Sequence, residues 1–212
     1  MPLKILVIGA SQGTGALAVK EALSRGHQVT AFARTPQRLG VVHPNLTIVA
    51  GDFHEPASVR AAVEGQDAVI ITASTTLAGF RKKPDYFSSG TRNTVEAMKA
   101  SGARRLVILS ALGVGDSARL LPAPLRFLML KVLLKGQYAD DELQERLACE
   151  SGLEWVIARP GGLTNGPARH RTVREKALVR VPSSISRADL AQFLVEACES
   201  DAWVNSAVQL GG

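Results

Sequence analysis

The first thirty-four residues constrain the fold of this chain more than any other stretch. An apolar run rich in branched side chains, Leu3–Ile8, leads directly into a glycine turn at Gly9–Gly15. Apolar residues then recur at helical spacing as far as Gly26, and Gln28–Ala33 has the pattern of a second strand. A strand, a helix and a second strand within about thirty residues form the context in which a glycine turn predicts a nucleotide site.

The glycine turn predicts where a diphosphate would bind. Backbone N–H groups at the start of a helix favour a negative charge, and the helix dipole adds to that preference. We interpret the glycines as room for the diphosphate to approach the backbone. The alternative is a tight turn that uses glycine only for its backbone freedom. The predicted cofactor-binding residues of this turn are Gly9, Ser11, Gln12, Gly13, Thr14 and Gly15.

The residues that follow the second strand indicate which dinucleotide binds. An NAD-selective site would place an acidic residue there to accept the ribose hydroxyls. This chain has Arg34 instead, with Thr35 and Arg38 as further donors. A guanidinium can bind a 2′-phosphate through two hydrogen bonds, so the sequence predicts NADPH. A solvated arginine beyond the sheet is the alternative.

The remaining strand patterns predict a Rossmann-type α/β fold. Further strands are expected at 46–50, 67–72, 105–109, 154–159 and 206–210, with a short one at 177–181. We expect a doubly wound, mostly parallel sheet in the order 3-2-1-4-5-6 plus a C-terminal strand, with helices on both faces. Such sheets bind ligands at the carboxyl ends of their strands, which places Thr72, Ala73 and Ser74 beside the cofactor.

Composition bounds the class of protein. A chain of 212 residues with 46% hydrophobic residues predicts one domain, 1–212. The net charge of +6 is spread along the chain and aromatic residues make up only 5%, which favours an anionic small molecule over nucleic acid. Cys149 and Cys198 are isolated, the four histidines lack metal spacing and are interpreted as surface or loop residues, and no signal peptide is recognised. We therefore expect a cytoplasmic protein without a metal.

The chain resembles the short-chain dehydrogenase/reductase superfamily, and within it the atypical NAD(P)H-binding group of biliverdin-IXβ reductase and NADPH-dependent flavin reductase. That group usually carries G-x-x-G-x-x-G, whereas Gln12 stands here where a glycine is expected. The matching segments are GASQGTG, AFARTPQRL, VAGDFHEP, GQDAVIITAS, SGTRNTVEAMKASGARRLVILSA, ESGLEWVIARPGGLT and VPSSISRADLAQFLVEAC.

The resemblance implies roles for residues at three other strand ends. Asp52 is expected to contact the adenine amino group, with Phe53 beside it, although an aspartate that only caps a turn is the alternative. Ser110 stands where the superfamily keeps its active-site serine, unless its hydroxyl only satisfies the end of the strand. The turn that lies against the nicotinamide in relatives corresponds to Pro160, Gly161, Gly162 and Leu163.

The catalytic pair of most superfamily members is missing. They use Tyr-x-x-x-Lys, in which the lysine lowers the pKa of the phenol. Tyr86 and Tyr138 are followed four residues later by Gly90 and Glu142, and the lysine that many bacterial relatives place near Asp141 is also missing. Reduction of a flavin, quinone or linear tetrapyrrole leaves a delocalised anion that water can protonate. The sequence therefore predicts a flat, conjugated acceptor and no matched acid.

The substrate is expected to contact mainly residues 77–90, 112–138 and 160–185. Residues 77–87 have the composition of a mobile loop, and helices are expected at 88–101 and 140–150. The apolar segment 120–135 is too short and too charged to span a membrane. It could be a lid, a dimer surface, an interfacial membrane helix or a core helix, so the chain is expected to be a monomer or a homodimer.

These observations predict an NADPH-dependent reductase with Ser110 polarising or positioning the substrate. Two other classes stay open. One is a redox sensor of the NmrA-like kind that binds the dinucleotide without turnover. The other is an epimerase, isomerase or dehydratase with a tightly held cofactor.

Overall fold

The computed structural model describes residues 1–127, 134–170 and 172–212. Its strands are β1 (Lys4–Ile8), β2 (Gln28–Ala33), β3 (Leu46–Ala50), β4 (Ala68–Ile71), β5 (Arg105–Leu109), β6 (Glu154–Pro160), β7 (Gly162–Thr164), β8 (Val173–Glu175), β9 (Ser184–Ser186) and β10 (Ser206–Gly211). Its helices are α1 (Gly13–Ser24), α2 (Pro56–Val63), α3 (Leu77–Lys82), α4 (Tyr86–Ser101), α5 (Ala123–Phe127), α6 (Lys135–Cys149) and α7 (Arg187–Glu199).

The central sheet has the order β3-β2-β1-β4-β5-β6-β10-β8. All of its pairs are parallel except that of β10 with β8, while β7 and β9 form a separate parallel pair. The predicted Rossmann-type fold and strand order are confirmed. Ile8 lies opposite both Phe32 and Ile71, so the carboxyl ends of β1, β2 and β4 meet at one edge of the sheet.

The sheet buries a hydrophobic core on each face. Successive side chains of β1 alternate between the two cores, as the two-residue period of a strand requires: Ile5 and Val7 join one core, and Leu6 and Ile8 join the other. Helices α1 and α7 cover the first face, and α2, α4 and α6 cover the second. The predicted arrangement of helices on both faces is therefore confirmed.

The segment at 77–87 differs from the sequence prediction. The expected loop is wrong, because residues 77–82 form helix α3. The hydroxyl of Thr76 accepts a hydrogen bond from the amide of Gly79 at 3.1 Å and caps the first turn. Phe80 is buried and packs against Phe87, which supplies the tertiary contact that stabilises so short a helix.

Two other boundaries depend on contacts that are distant in sequence. Helix α4 begins at Tyr86, two residues before the predicted start, because the Asp140 carboxylate accepts hydrogen bonds from the amides of Phe87 (2.7 Å) and Ser88. The strand expected at 177–181 is wrong. The nearby strands are β8 and β9, and β8 occupies the exposed edge of β10 in antiparallel register.

The apolar segment 120–135 is only partly described. Helix α5 occupies 123–127 and α6 starts at Lys135, whereas residues 128–133 lie outside the described part, so the four interpretations of the segment stay predictions. Within the described ranges, no helix combines the length and apolar character needed to cross a bilayer. Both cysteines are free thiols.

Candidate functional site

A cleft of about 400 Å³ lies at the carboxyl ends of β1, β2 and β4. It is also lined by Tyr86 from the start of α4. More than half of the predicted cofactor residues line it, which brings together positions that follow four separate strands, β1 to β4. Those residues are Gly9, Ser11, Gln12, Arg34, Thr35, Arg38, Asp52, Phe53, Ala73 and Ser74.

The glycine turn presents a row of backbone donors at the start of α1. The amides of Gly9 and Ala10 both donate to the carbonyl of Phe32. In the described part of the chain, no acceptor takes the amides of residues 11–15, and Gln12 provides no side-chain cap. Five successive N–H groups at a helix N-terminus can bind an anion such as a diphosphate.

Contacts within the protein give a further reason for glycine at two positions of this turn. A Cβ at Gly9 would lie 2.7 Å from the amide nitrogen of Ala73, and one at Gly15 would lie 2.3 Å from the carbonyl oxygen of Gly9. Gly13 has a φ of +58°, in the left-handed region. Side chains at Gly9 and Gly15 would therefore collide with the protein itself, so close backbone packing already requires glycine at both positions, and their role in making room for the ligand stays a prediction.

Positive charge and one carboxylate meet at the β2 and β3 end of the cleft. Arg34, Thr35 and Arg38 line it together with Asp52. Partial burial alone would raise the pKa of Asp52, but hydrogen bonds from the backbone and side chain of His54, aided by the charge of Arg34, hold that pKa below its ordinary value. Asp52 is therefore anionic at neutral pH, and an amino group is the kind of ligand that it can accept.

His54 lies in the loop after β3, one of the two settings that the sequence predicts for the histidines, but its side chain is largely buried. Only 10% of its side chain is exposed. Nδ1 lies 2.9 Å from Asp52 Oδ1, and Nε2 lies 3.0 Å from the carbonyl oxygen of Tyr86. His27 is also buried, with its Nε2 2.8 Å from Glu199 Oε1. The Tyr86 carbonyl and the Glu199 carboxylate are distant in sequence from these rings, and the local sequence gives no sign of those two contacts.

Several predicted cofactor residues lie outside the cleft lining. Gly13, Thr14, Gly15 and Leu163 are not among its lining residues. The hydroxyl of Thr72 is buried and donates to the carbonyl of Ile8 at 2.9 Å.

The turn after β6 is occupied by contacts within the protein. The amides of Gly161 and Gly162 donate to the carbonyls of Leu210 and Ser183, so these two amides are not free to bind a nicotinamide. A Cβ at Gly161 would lie 2.5 Å from the Ser183 oxygen, so close backbone packing explains that glycine. Pro160 ends β6, and its carbonyl accepts from the amide of Leu112.

Ser110 belongs to a buried ionic network at the end of β5. Its hydroxyl donates to Glu145 Oε1 at 2.6 Å. Arg159 binds the same carboxylate through Nε (3.0 Å) and Nη2 (2.6 Å), and its Nη1 lies 2.6 Å from Asp116 Oδ1. Because the hydroxyl proton is held by Glu145, Ser110 can accept a hydrogen bond from a ligand, but it cannot polarise one as a donor without breaking this contact.

Neither tyrosine is made more acidic by its surroundings. Burial raises the pKa of Tyr86, and Asp52 adds to this although Arg34 opposes it. Burial and the nearby Asp141 raise the pKa of Tyr138. The expected lack of a phenol with a low pKa is therefore consistent with the geometry.

A carboxyl group in this region was missed by the sequence reasoning. Burial and the neighbouring carboxylates of Asp140 and Glu145 raise the pKa of Asp141 to about 7. Asp141 is not among the residues that line the cleft, so the expectation that no acid of matched strength lies at the acceptor stays a prediction. No three His, Cys, Asp or Glu side chains in the described ranges are grouped so that they could hold a metal ion.

Arg187 was also missed, because it is distant in sequence from the glycine turn. It is the first residue of α7, and its Nε lies 3.8 Å from the point where Gly13 would carry a Cβ. Its Nη1 donates to Asn165 Oδ1 at 2.7 Å. A cation is therefore held over the first turn of α1, beside the free amides. The hydroxyl of Ser186 caps the start of α7 by accepting a hydrogen bond from the amide of Asp189 at 3.0 Å, which fixes the position of Arg187.

Comparisons with known proteins agree with this geometry. The family model described as NAD(P)H-binding matches residues 9–201. An uncharacterised chloroplast protein of Arabidopsis thaliana is 33% identical over 92% of this chain and 71% of its own length. Sanguinarine reductase of Eschscholzia californica is 26% identical over 99% of this chain and 89% of its own length. The structure of an anaerobilin reductase from Escherichia coli O157:H7 superimposes with a TM-score of 0.82 at 23% identity, covering 98% of this chain and 96% of that one.

Proposed function

This chain belongs to the NAD(P)H-binding family, and on that premise we propose that it is an NADPH-dependent reductase that transfers hydride to a flat, conjugated acceptor of the flavin, quinone or tetrapyrrole type. When bound, NADPH supplies the hydride. The protein supplies binding and orientation. The observation that carries the proposal is the row of free amides at residues 11–15, with Arg187 above it and Arg34 at the far end of the same cleft.

The preference for NADPH rests on charge. Arg34 and Arg38 line the end of the cleft where a 2′-phosphate would lie, and the carboxylate of Asp52, which also lines it, contacts His54 through its Oδ1. A guanidinium binds a phosphate in a fork that a ribose hydroxyl cannot match. Asp52 would accept the adenine amino group through its other oxygen.

The acceptor class rests on the raised pKa of both phenols. A simple ketone becomes an alkoxide on reduction and needs a well-placed donor, whereas a conjugated acceptor spreads the charge. We assign Ser110 a positioning role, as an acceptor for an N–H group of the substrate. The names of two relatives, sanguinarine reductase and anaerobilin reductase, are in accord with reductase activity.

An oxidation screen tests the proposal. We expect steady NADPH oxidation at 340 nm with FMN, biliverdin or a quinone, and at least tenfold slower oxidation with simple aldehydes. Tight NADPH binding without turnover would favour the redox sensor. Conversion of a metabolite without net NADPH consumption would favour an epimerase, isomerase or dehydratase.

The proposed substrate-contacting regions are still 77–90, 112–138 and 160–185, and the partner is a small molecule. The monomeric or dimeric state of the chain stays a prediction. The cytoplasmic location also stays a prediction, because the Arabidopsis relative is a chloroplast protein.

Replacing Arg187 by alanine should weaken both dinucleotides equally. One charge-assisted contact contributes about 1.5 to 3 kcal/mol, so we expect the Kd to rise roughly 10- to 100-fold for NADPH and for NADH, since both carry the diphosphate. Calorimetry measures both values. Arg60→Ala, an exposed arginine outside the cleft lining, is the control and should leave them unchanged. A selective loss of NADPH would place Arg187 at the 2′-phosphate instead.

A further inference from the structure

The ring of His54 lies between two oxygen atoms, one at each of its nitrogen atoms. Nδ1 lies 2.9 Å from Oδ1 of Asp52, and Nε2 lies 3.0 Å from the carbonyl oxygen of Tyr86. A carbonyl oxygen only accepts hydrogen bonds, so Nε2 must carry a proton to make this contact. Asp52 is an anionic carboxylate, which also only accepts, so the contact at Nδ1 needs a proton as well. Both hydrogen bonds are made together only by the imidazolium form of the ring.

The surroundings of the ring hold it in this orientation. The His54 side chain is largely buried, and its ring packs edge-to-face against Phe53, with centroids 5.6 Å apart, and against Tyr86, with centroids 4.7 Å apart. The amide of His54 also donates to Oδ1 of Asp52 at 2.9 Å. One oxygen of Asp52 thus receives two hydrogen bonds from a single residue. Within the described ranges, no protein donor contacts the other oxygen, Oδ2.

The segments around Asp52 and His54 contain charges of both signs. Their titratable and charged groups are Asp52 and Glu55 before α2, Arg34 and Arg38 after β2, and Asp85 and Tyr86 at the start of α4. In the described part of the chain, Asp52 is the only charged group that contacts the ring of His54.

Asp52 also lies in the field of Arg34. The charge of Arg34 contributes to the low pKa of Asp52, and both residues line the cleft. A carboxylate and a 2′-phosphate at this end of the cleft would share the positive charge of Arg34 and would repel each other. A cation that pairs with Asp52 removes much of this conflict.

We propose that His54 is a positioning residue that favours NADPH over NADH by pairing with Asp52, an inference that rests on the proposed cofactor site. The imidazolium of His54 offsets the charge of Asp52, so the guanidinium of Arg34 is left for the 2′-phosphate. It also fixes Oδ1, which leaves Oδ2 of Asp52 for the adenine amino group. NADH has a hydroxyl in place of the phosphate, so its binding depends less on the charge of His54.

Replacing His54 by glutamine tests the charge. Glutamine keeps a hydrogen-bond donor but cannot become a cation. We expect the ratio of the Kd for NADH to the Kd for NADPH, measured by calorimetry, to fall about threefold or more at a pH of about 6.5, with a smaller change in the Kd for NADH. His43→Gln is the matched control. His43 lies outside the cleft lining, and its Nδ1 accepts from the amide of Asn45, so this variant should leave the ratio unchanged.

A double variant separates the effect of charge from a loss of packing. If His54 acts by offsetting Asp52, removing the carboxylate charge as well should restore the ratio. His54→Gln with Asp52→Asn should therefore regain at least half of the lost preference for NADPH, because the loss of the adenine contact affects both dinucleotides equally. A double variant with the same low ratio as His54→Gln would overturn the proposal. So would an equal weakening of both dinucleotides in His54→Gln, which a purely structural role predicts.

The protonation of His54 can be measured in the wild type. With ¹⁵N-labelled histidine, the signals that His54→Gln removes should show a proton on both ring nitrogens at a pH of about 6. A bare ring nitrogen at that pH would contradict the proposal. Because histidine loses its charge as the pH rises, the difference in Kd ratio between wild type and His54→Gln should be largest at acid pH and should disappear in alkaline solution. The 2′-phosphate titrates in both proteins, so comparing them at each pH removes its contribution.

Calorimetry separates this proposal from the proposed reductase function, because it does not depend on turnover. If the wild type binds NADPH and His54→Gln has the same Kd ratio, the role of His54 fails while the cofactor site stands. If the ratios change as expected but the wild type reduces no acceptor, the reductase function fails and the role of His54 stands. If the wild type binds neither dinucleotide, both fail.

Discussion

An Arg34→Asp variant should prefer NADH over NADPH. Arg34 lines the cleft at the end of β2, where an aspartate would accept the ribose hydroxyls of NADH and repel the 2′-phosphate of NADPH. Charge-assisted hydrogen bonds contribute about 1.5 to 3 kcal/mol each, so losing one and gaining another changes the ratio of the two kcat/KM values by roughly a thousandfold. Steady-state kinetics with each dinucleotide, with FMN as acceptor, measures that ratio.

The position of Arg34 allows a sharp control. Arg60→Asp makes the same charge change on α2, where the side chain is exposed and outside the cleft lining, and should leave the ratio within about twofold. Arg38→Ala should lower the preference for NADPH over NADH less than Arg34→Asp does, because it removes a hydrogen-bond donor without adding a negative charge that repels the phosphate. An unchanged ratio in Arg34→Asp would contradict the assignment of the 2′-phosphate to this end of the cleft. An equal decrease in kcat/KM for both dinucleotides would show that Arg34 stabilises the site without binding the 2′-phosphate.

The parts of the fold that the sequence predicts are those with local causes. The order of the strands follows from strand and helix patterns and from the right-handed crossover rule. The glycine turn is recognisable because its residues are consecutive. The same holds for Arg34 and Asp52, which directly follow strands and therefore meet at one edge of the sheet.

The parts that the sequence misses depend on partners far along the chain. Arg187 reaches the glycine turn from the last helix, and Asp140 caps α4 across more than fifty residues. The pKa of Asp141 depends on burial and on two neighbours whose pairing is tertiary. The glycines at 161 and 162 resemble a cofactor turn, yet their amides are used by Leu210 and Ser183. Periodicity and motif spacing contain none of this information.

Removing the carboxylate of Glu145 should destabilise the protein strongly. Glu145 and Arg159 form an ion pair in which each side chain is only 6% exposed, and the remaining partner of Arg159, Asp116, is 60% exposed. Taking away one member of a buried pair leaves an uncompensated charge and costs about 3 to 5 kcal/mol, a large share of the stability of a typical domain. Urea unfolding of Glu145→Ala should show this loss as a lower midpoint.

The reason for that loss can be separated from simple loss of packing. If the cost comes from the unpaired guanidinium, then removing the guanidinium as well should restore stability. The double variant Glu145→Met with Arg159→Leu should therefore regain at least half of what Glu145→Ala loses, because buried pairs can often be replaced by apolar side chains of similar volume. Glu142→Ala, which removes an exposed carboxylate 3.9 Å from Arg146, should change the unfolding free energy by less than about 0.5 kcal/mol. If the unfolding free energy of Glu145→Ala is within about 1 kcal/mol of that of the wild type, Arg159 is solvated without its partner. The network then does not hold Ser110 in the way that the 2.6 Å contact with Glu145 indicates.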